Sequence, residues 1–137
     1  MHGCTATPLV SATFSFAEAD QYELMMGVEK TLADRWSKHP DPSEHPTAGS
    51  YFQNPLIEGV RTSAGKLIEE AGCRSLKLGL ARQWDKHANI IVAEERATSN
   101  HVTGLADILA SKVRERFGIS LVPEVRHFKH DGSSCSI

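Results

Sequence analysis

The sequence contains little that points to a membrane, a nucleic acid or secretion. No apolar run approaches the ~18 residues of a membrane-spanning helix, and the N-terminus lacks a basic stretch followed by an apolar one. Fifteen Lys and Arg residues against 17 Asp and Glu residues give a net charge of −2. That balance offers no general attraction to nucleic acid or anionic lipid. We therefore expect a cytoplasmic protein without nucleic-acid or membrane partners.

Cysteine is scarce, and histidine is poorly spaced for binding a metal. The three cysteines form no C-x-x-C pair, and an odd number cannot all pair within one chain. Free thiols in a reducing compartment are expected. The seven histidines include no H-E-x-x-H motif and no clustered ligand set. The sequence therefore predicts no metal site.

The length and composition fit one globular domain. The chain has 137 residues, of which 40% are hydrophobic and 23% charged, and this is enough for one core but not for two. Both ends consist mainly of small and polar residues. We place the domain at residues 8–129 and expect residues 1–7 and 130–137 to be flexible termini.

Three helices are predicted from apolar residues at helical spacing and from side chains that can cap a helix. Two of them end at a glycine, as helices often do. The predicted helices run from Asp20 to about Lys38, from Thr62 or Ser63 to Gly72, and from Thr98 or Ser99 to Gly118. The third carries an apolar stripe made of Val102, Leu105, Leu109, Val113 and Phe117.

Strands are predicted where apolar and polar residues alternate or where short apolar runs occur. The predicted strands cover residues 9–16, 76–78, 89–93 and 121–128. The connection around residues 84–87 gives no clear pattern. Helices that alternate with short strands favour an α+β fold, a two-layer domain with about three helices packed on one face of a small mixed sheet.

The last predicted strand places two charged side chains on one face. Glu124 and Arg126 are two residues apart, and Leu121, Pro123 and Val125 point the other way. One interpretation is a surface ion pair worth ~0–1 kcal/mol. The other is a carboxylate and a guanidinium that project into a cleft.

Ser50 also has two interpretations. It follows Gly49 in a turn, where its hydroxyl can simply satisfy a backbone donor. It has no adjacent base and no G-x-S-x-G motif, so it is a poor nucleophile and would serve better as a held proton donor. Arg35 and Lys38 either compensate the dipole at the end of the first helix or hold a phosphate.

Six segments fall in an order and spacing that is specific when taken together. They are residues 38–42 (KHPDP), 48–55 (AGSYFQNP), 64–72 (AGKLIEEAG), 87–92 (HANIIV), 97–98 (AT) and 117–126 (FGISLVPEVR). This combination resembles the C-terminal, substrate-binding domain of UDP-N-acetylenolpyruvoylglucosamine reductase (MurB), in its compact subtype. The resemblance extends from about residue 9 to residue 128.

The resemblance implies a role in peptidoglycan precursor synthesis. In the complete enzyme NADPH reduces FAD, and the enolpyruvyl ether of UDP-N-acetylglucosamine is reduced to UDP-N-acetylmuramate. Ser50 resembles the serine that protonates the substrate carbon, and Glu124 resembles the active-site glutamate. The resemblance further implies substrate contacts at Lys38 and Asn54 (the diphosphate), at Arg35 (a further cation) and at Arg126 (orientation of Glu124 or of the substrate).

The sequence departs from the family pattern in two ways. Nothing in it resembles the Gly-rich flavin-binding segments, so we expect no FAD-binding domain, no cofactor bound to this chain alone and no turnover without a flavin domain in cis or in trans. Single positions also differ, namely Gln53, Leu80, Gln83, Trp84 and Ala93. Two alternatives therefore remain: a non-catalytic UDP-sugar binding module, or a structural or interaction domain without a ligand.

Overall fold

A computed structural model describes residues 10–128 and 134–135. Its elements in chain order are α1 (Gln21–Lys38), β1 (Thr47–Ser50), β2 (Leu56–Ile57), β3 (Val60–Arg61), α2 (Ala64–Glu70), β4 (Lys77–Leu78), β5 (Ala81–Trp84), β6 (His87–Ala93), α3 (Ser99–Phe117), β7 (His127–Phe128) and β8 (Ser134–Cys135).

The main sheet has four strands in the order β1-β6-β5-β4. Every pairing in it is antiparallel. For β4, β5 and β6 this follows from the tight turns between them, since such turns join antiparallel neighbours. Two further strand pairs, β2–β3 and β7–β8, form small antiparallel hairpins. The predicted α+β class is confirmed, with an antiparallel sheet in place of a mixed one.

Helices α2 and α3 form the second layer and bury the core against β6. The stripe predicted for α3 is confirmed, since Leu105, Leu109 and Val113 are fully buried. The helix ends at Gly118, which has a φ of 70°, a conformation that glycine adopts without steric cost. From α2, Ile68 joins the same cluster. This core holds β6 in the centre of the sheet.

Helix α1 forms as predicted, and the Asp20 carboxylate accepts a hydrogen bond from the Glu23 amide at 3.0 Å. None of its residues is buried, however, so α2 and α3 alone pack as the predicted helical layer. The predicted strand at residues 9–16 is wrong for the part that the structure describes. Residues 10–16 form no strand, and Phe14 and Phe16 are 74% and 87% exposed.

The segment before β7 is extended but pairs only locally. Leu121 is buried, Pro123 and Val125 are half-buried, and Glu124 and Arg126 are exposed. The predicted alternation is therefore confirmed, although a ladder forms only at an isolated bridge from Phe52 to Pro123 and at β7. The expected flexible terminus 1–7 lies outside the described residues, and of 130–137 the structure describes only β8.

Candidate functional site

Ser50 and Glu124 face the same open cavity. This Ser50 cavity has a volume of about 310 Å³ and is lined by Ala48, Ser50, Glu124, Val125 and Arg126. The fold thus brings together three of the six residues predicted for the site from two distant segments of the chain: Ser50 from one, and Glu124 and Arg126 from the other. None of the ion pairs among the described residues joins Glu124 to Arg126. Glu124 and Arg126 are therefore two exposed side chains that line one open cavity without pairing with each other.

Backbone pairing holds the two sides of the Ser50 cavity together. The Glu124 amide donates to the Tyr51 carbonyl at 2.8 Å, and the Gln53 amide donates to the Val122 carbonyl at 2.9 Å. Ser50 and Glu124 each lie beside these bonds. Their separation is therefore set by main-chain geometry, which is more rigid than a contact between two long side chains.

The turn before Ser50 is stabilised by a different hydroxyl. Thr47 donates its hydroxyl to the Ile91 carbonyl at 2.8 Å and accepts from the Gly49 amide at 3.1 Å. Gly49 has a φ of 80°, which favours glycine there. The hydroxyl of Ser50 makes no hydrogen bond to another described residue, so it is available in the cavity.

Asn89 supports this site from the centre of the sheet. Its side chain is buried; Oδ1 accepts from the Phe52 amide at 2.9 Å, and Nδ2 donates to the Phe52 carbonyl at 2.8 Å. The Asn89 carbonyl also accepts from the Tyr51 amide at 2.7 Å. One residue of β6 therefore fixes the two residues that follow Ser50. The sequence offered one signal for this role, an amide residue inside an otherwise apolar strand.

A side-chain link joins the same two segments on the other side of Tyr51. The Tyr51 hydroxyl lies 2.9 Å from Nε2 of His127. Burial raises the pKa of the Tyr51 phenol, and the nearby Asp107 carboxylate raises it further. Tyr51 therefore stays neutral and works as a hydrogen-bonding crosslink between the Ser50 segment and the Glu124 segment.

The cations predicted at the end of α1 are exposed. Lys38 pairs with Asp34 one turn earlier, with 2.8 Å between Nζ and the carboxylate. Both Arg35 and Lys38 lie in the last turn of the helix. They do not line the Ser50 cavity. Their position relative to the sheet depends on the residues that follow, because α1 buries none of its own.

Asn54 makes a contact that the sequence did not indicate. Its Oδ1 accepts from the Ala64 amide at 2.9 Å, at the start of α2. A second cavity of about 230 Å³, the His87 cavity, is lined by Ser63, Gly65, Lys66, Glu69, Lys86, His87 and Ala88. The imidazole of His87 also lies 5.7 Å from that of His39, centroid to centroid. Asn54 is therefore bonded to the start of α2, where the next residue, Gly65, lines the His87 cavity. Lys38 is followed by His39, whose ring contacts that of His87.

The pKa of His87 is lowered, first by burial and then by the neighbouring His39. Its Nδ1 accepts from the Asn89 amide at 3.3 Å. The residue therefore favours the neutral form and connects the His87 cavity to the strand that holds the Ser50 segment.

Two of the positions that depart from the family pattern have structural roles. Gln83 is buried, and its side chain satisfies the Leu76 amide, the Ala88 carbonyl and the Cys73 carbonyl. Trp84 donates its indole N–H to the Lys38 carbonyl at 3.0 Å. These residues build β5, one of the strands that sequence patterning missed together with β1, β2 and β3. An amide and an indole do not form the apolar pattern expected of a buried strand.

The described residues give no sign of two other kinds of site. No cluster of three or more His, Cys, Asp and Glu side chains suited to a metal occurs among them. Within the same part of the chain, no helix has the length and apolar character that a membrane crossing requires.

Fold and site together define a small α+β domain in which a serine hydroxyl and a carboxylate line one open cavity. The family model described as "UDP-N-acetylenolpyruvoylglucosamine reductase, C-terminal domain" matches residues 41–128. The chain belongs to this family, the C-terminal domain of MurB. The resemblance found in the sequence is therefore confirmed.

Relatives from several bacteria share this similarity. Proteins named UDP-N-acetylenolpyruvoylglucosamine reductase are 36% identical over 118 residues in Lachnoclostridium phytofermentans and 34% identical over 123 residues in Clostridium botulinum strain Eklund 17B. These alignments cover 86% and 90% of this chain, but 36% and 38% of the relatives. The crystal structure of MurB from Thermus caldophilus matches with a TM-score of 0.57 at 28% identity, over 77% of this chain and 35% of that one. The chain thus spans little more than a third of the length of these relatives.

Proposed function

We propose that this chain is the substrate domain of a UDP-N-acetylmuramate dehydrogenase. The substrate is the enolpyruvyl ether of UDP-N-acetylglucosamine, and the product is UDP-N-acetylmuramate, a peptidoglycan precursor formed in the cytoplasm. The observation that carries the proposal is that Ser50 and Glu124 line the same cavity in a chain of the MurB family.

The residues of the Ser50 cavity suit the protonation half of this reaction. Adding hydride to the vinyl carbon leaves negative charge on the neighbouring carbon and its carboxylate, and that carbon must then gain a proton. The Ser50 hydroxyl is unengaged by other described residues and can donate that proton. Glu124 lies in the same cavity, where it can hold the substrate carboxylate in its enolic form by a shared proton.

Arg126 completes the electrostatics of the cavity. Its planar guanidinium can bind a carboxylate through two parallel hydrogen bonds. A substrate carboxylate between Arg126 and Glu124 would be oriented and partly neutralised. The charge that develops during protonation is then stabilised by groups already in place.

The substrate's diphosphate is assigned to the residues around the end of α1. Lys38 and Arg35 supply positive charge there, and Asn54 supplies an amide. Lys38 reaches a phosphate only by leaving Asp34, and this exchange is inexpensive because the exposed pair is worth ~0–1 kcal/mol. Two contacts support this assignment: the ring of His39, the residue after Lys38, lies 5.7 Å from that of His87, and Asn54 accepts a hydrogen bond from the start of α2.

FAD does not fit the residues that the structure describes. The Ser50 cavity, of about 310 Å³, has room for the reacting end of a substrate and not for a dinucleotide as well. FAD, reduced by NADPH, supplies the hydride when it is bound in the complete enzyme. We assign it to a separate flavin-binding domain, in cis or in trans.

The apolar face of α1 supports such a partner domain. This face, made of Leu24, Met25, Val28, Leu32 and Trp36, is between 44% and 57% exposed along its length. The alignment with the Clostridium botulinum relative takes in 90% of the chain and so extends well upstream of residue 41, where the C-terminal family model begins. We assign the covering partner to the part of the relatives that this chain does not span.

The test is complementation in trans. The flavin-binding portion of a MurB relative is mixed with this chain, and NADPH oxidation is followed with UDP-N-acetylglucosamine enolpyruvate as substrate. We expect turnover that falls by about 10²- to 10⁴-fold in Ser50→Ala, the usual range for loss of a general acid. Substrate binding to the Ser50→Ala variant should be nearly unchanged.

Ser111→Ala is the matched control, because Ser111 is an exposed serine of α3 that does not line the Ser50 cavity. Full activity of Ser50→Ala would refute the assigned chemistry. Binding of the UDP substrate with no turnover in any mixture would support the non-catalytic binding module. No binding at all would leave only an interaction domain.

A further inference from the structure

Trp84 forms a long-range contact with the end of α1. Its indole N–H donates to the main-chain carbonyl of Lys38 at 3.0 Å, across 46 positions of sequence. The last four carbonyls of a helix have no partner within the helix. Trp84 therefore supplies from the sheet a hydrogen bond that the helix cannot make for itself.

Two neighbouring side chains contact the indole ring. The His45 ring lies 5.0 Å away, centroid to centroid, and the Arg82 guanidinium lies 5.4 Å from the Trp84 ring centre. Arg82 is itself paired with Glu94 at 3.5 Å and is only 16% exposed. A side chain packed in this way has few alternative rotamers, so the direction of its N–H is well defined.

This contact matters because α1 has no buried residues that would pack it against the rest of the domain. None of its residues is buried, so the position of its last turn is set by the residues just after it. Besides the Trp84 bond, the described contacts there are the His39–His87 and His45–Trp84 ring contacts, the burial of Pro40, and the bond from the Ala93 amide to the Pro46 carbonyl at 2.9 Å. Trp84 is the one of these groups that bonds to the helix itself.

We infer that Trp84 is a positioning residue that fixes the last turn of α1 and so sets where the Lys38 ammonium meets the ligand. The inference rests on the proposed function, which assigns Lys38 to the substrate diphosphate. Trp84 touches neither ligand nor reacting atoms and acts only through the main chain of Lys38.

The test is a double-mutant cycle read by the affinity for UDP. Trp84→Phe keeps an aromatic ring beside His45 and Arg82 but removes the N–H donor. A hydrogen bond of net worth about 0.5–1.5 kcal/mol corresponds to about a 2- to 10-fold loss of UDP affinity. In a Lys38→Met background the same substitution should change the affinity by less than about twofold, because the group it positions is gone.

Trp36→Phe is the matched control, since Trp36 is the second of the chain's two tryptophans and lies on α1, 51% exposed. It should leave UDP affinity unchanged. Uridine separates positioning from general damage. Trp84→Phe should weaken UDP but not uridine, which has no phosphate for Lys38 to meet.

Amide hydrogen exchange checks the anchor without any ligand. The His39 amide donates to the Arg35 carbonyl at 2.8 Å. It should exchange faster in Trp84→Phe than in the unmodified chain, whereas Trp36→Phe should leave its exchange rate unchanged. Equal losses of UDP affinity with and without Lys38, or unchanged exchange at His39, would overturn the inference. If the unmodified chain does not bind UDP, the proposed function fails, and so does the claim that Trp84 sets the position of Lys38 for a ligand. A persisting exchange difference would then support only the claim that Trp84 fixes the last turn of α1.

Discussion

Replacing Asn89 with leucine should destabilise the domain by removing two buried hydrogen bonds at once. The Asn89 amide satisfies both the N–H and the C=O of Phe52, and both residues are at most 3% exposed. A leucine, which has a similar branched shape but no polar atoms, leaves those two backbone groups buried without partners, at about 1–3 kcal/mol each. The added apolar burial recovers part of this, so we expect a net loss of about 2–4 kcal/mol. That is a large share of a typical domain stability of about 5–15 kcal/mol.

Urea denaturation measures this loss directly. The midpoint should fall while the slope of free energy against urea stays the same, since the surface exposed on unfolding barely changes. Under conditions where Asn89→Leu remains folded, it should also bind the UDP substrate more weakly, because Phe52 ties the Ser50 segment to Pro123. Gln83→Leu is the control, as it removes a buried amide away from Phe52 and should lower stability without this loss of binding. A fall of less than about 1 kcal/mol in Asn89→Leu would refute the reasoning, because buried backbone groups would then have found other partners.

Two further predictions concern titrating side chains. Burial and then His39 lower the pKa of His87 from 6.5, so below that pH the unfolded chain binds more protons than the folded one and stability falls as the pH is lowered. The thermal midpoint of His87→Gln should therefore fall less on acidification than that of the unmodified chain, and an equal fall would contradict this. Burial raises the pKa of the Cys73 thiol, so in a Cys4→Ser, Cys135→Ser variant a thiol reagent should label the folded chain slowly and the urea-unfolded chain fast. Rapid labelling of the folded variant would show that Cys73 is accessible.

The sequence predicted best those elements whose partners lie nearby in the chain. The stripe of α3 and its end at Gly118 were foreseen because helical spacing and a left-handed terminal glycine are local properties. The same holds for the alternation of Glu124 and Arg126 against Leu121. The meeting of Ser50 with Glu124 was suggested by the family resemblance alone, since no local pattern links residues so far apart.

The elements that were missed depend on tertiary contacts. Strand β5 carries Arg82, Gln83 and Trp84, which have no strand-like pattern until Gln83 is seen to satisfy three backbone groups of its neighbours. Asn54 was assigned to a phosphate from the resemblance, while the structure shows its Oδ1 bound to the start of α2. The Asn54 side chain can do both, because its Oδ1 accepts from the Ala64 amide while its amide nitrogen remains able to donate to a phosphate.

Helix α1 shows that an apolar pattern predicts which face of a helix becomes buried in a contact, but not which element it packs against. Its spacing predicted a helix packed on the sheet, yet residues such as Leu24 and Val28 are each 57% exposed. The alternation from Val10 to Phe16 likewise has no sheet to join among the described residues. Helices gain most of their stability from packing an apolar face, so both patterns make physical sense only against a partner surface. The Trp84 bond would then fix one end of α1 on this domain while the apolar face of α1 remains open to the proposed partner domain.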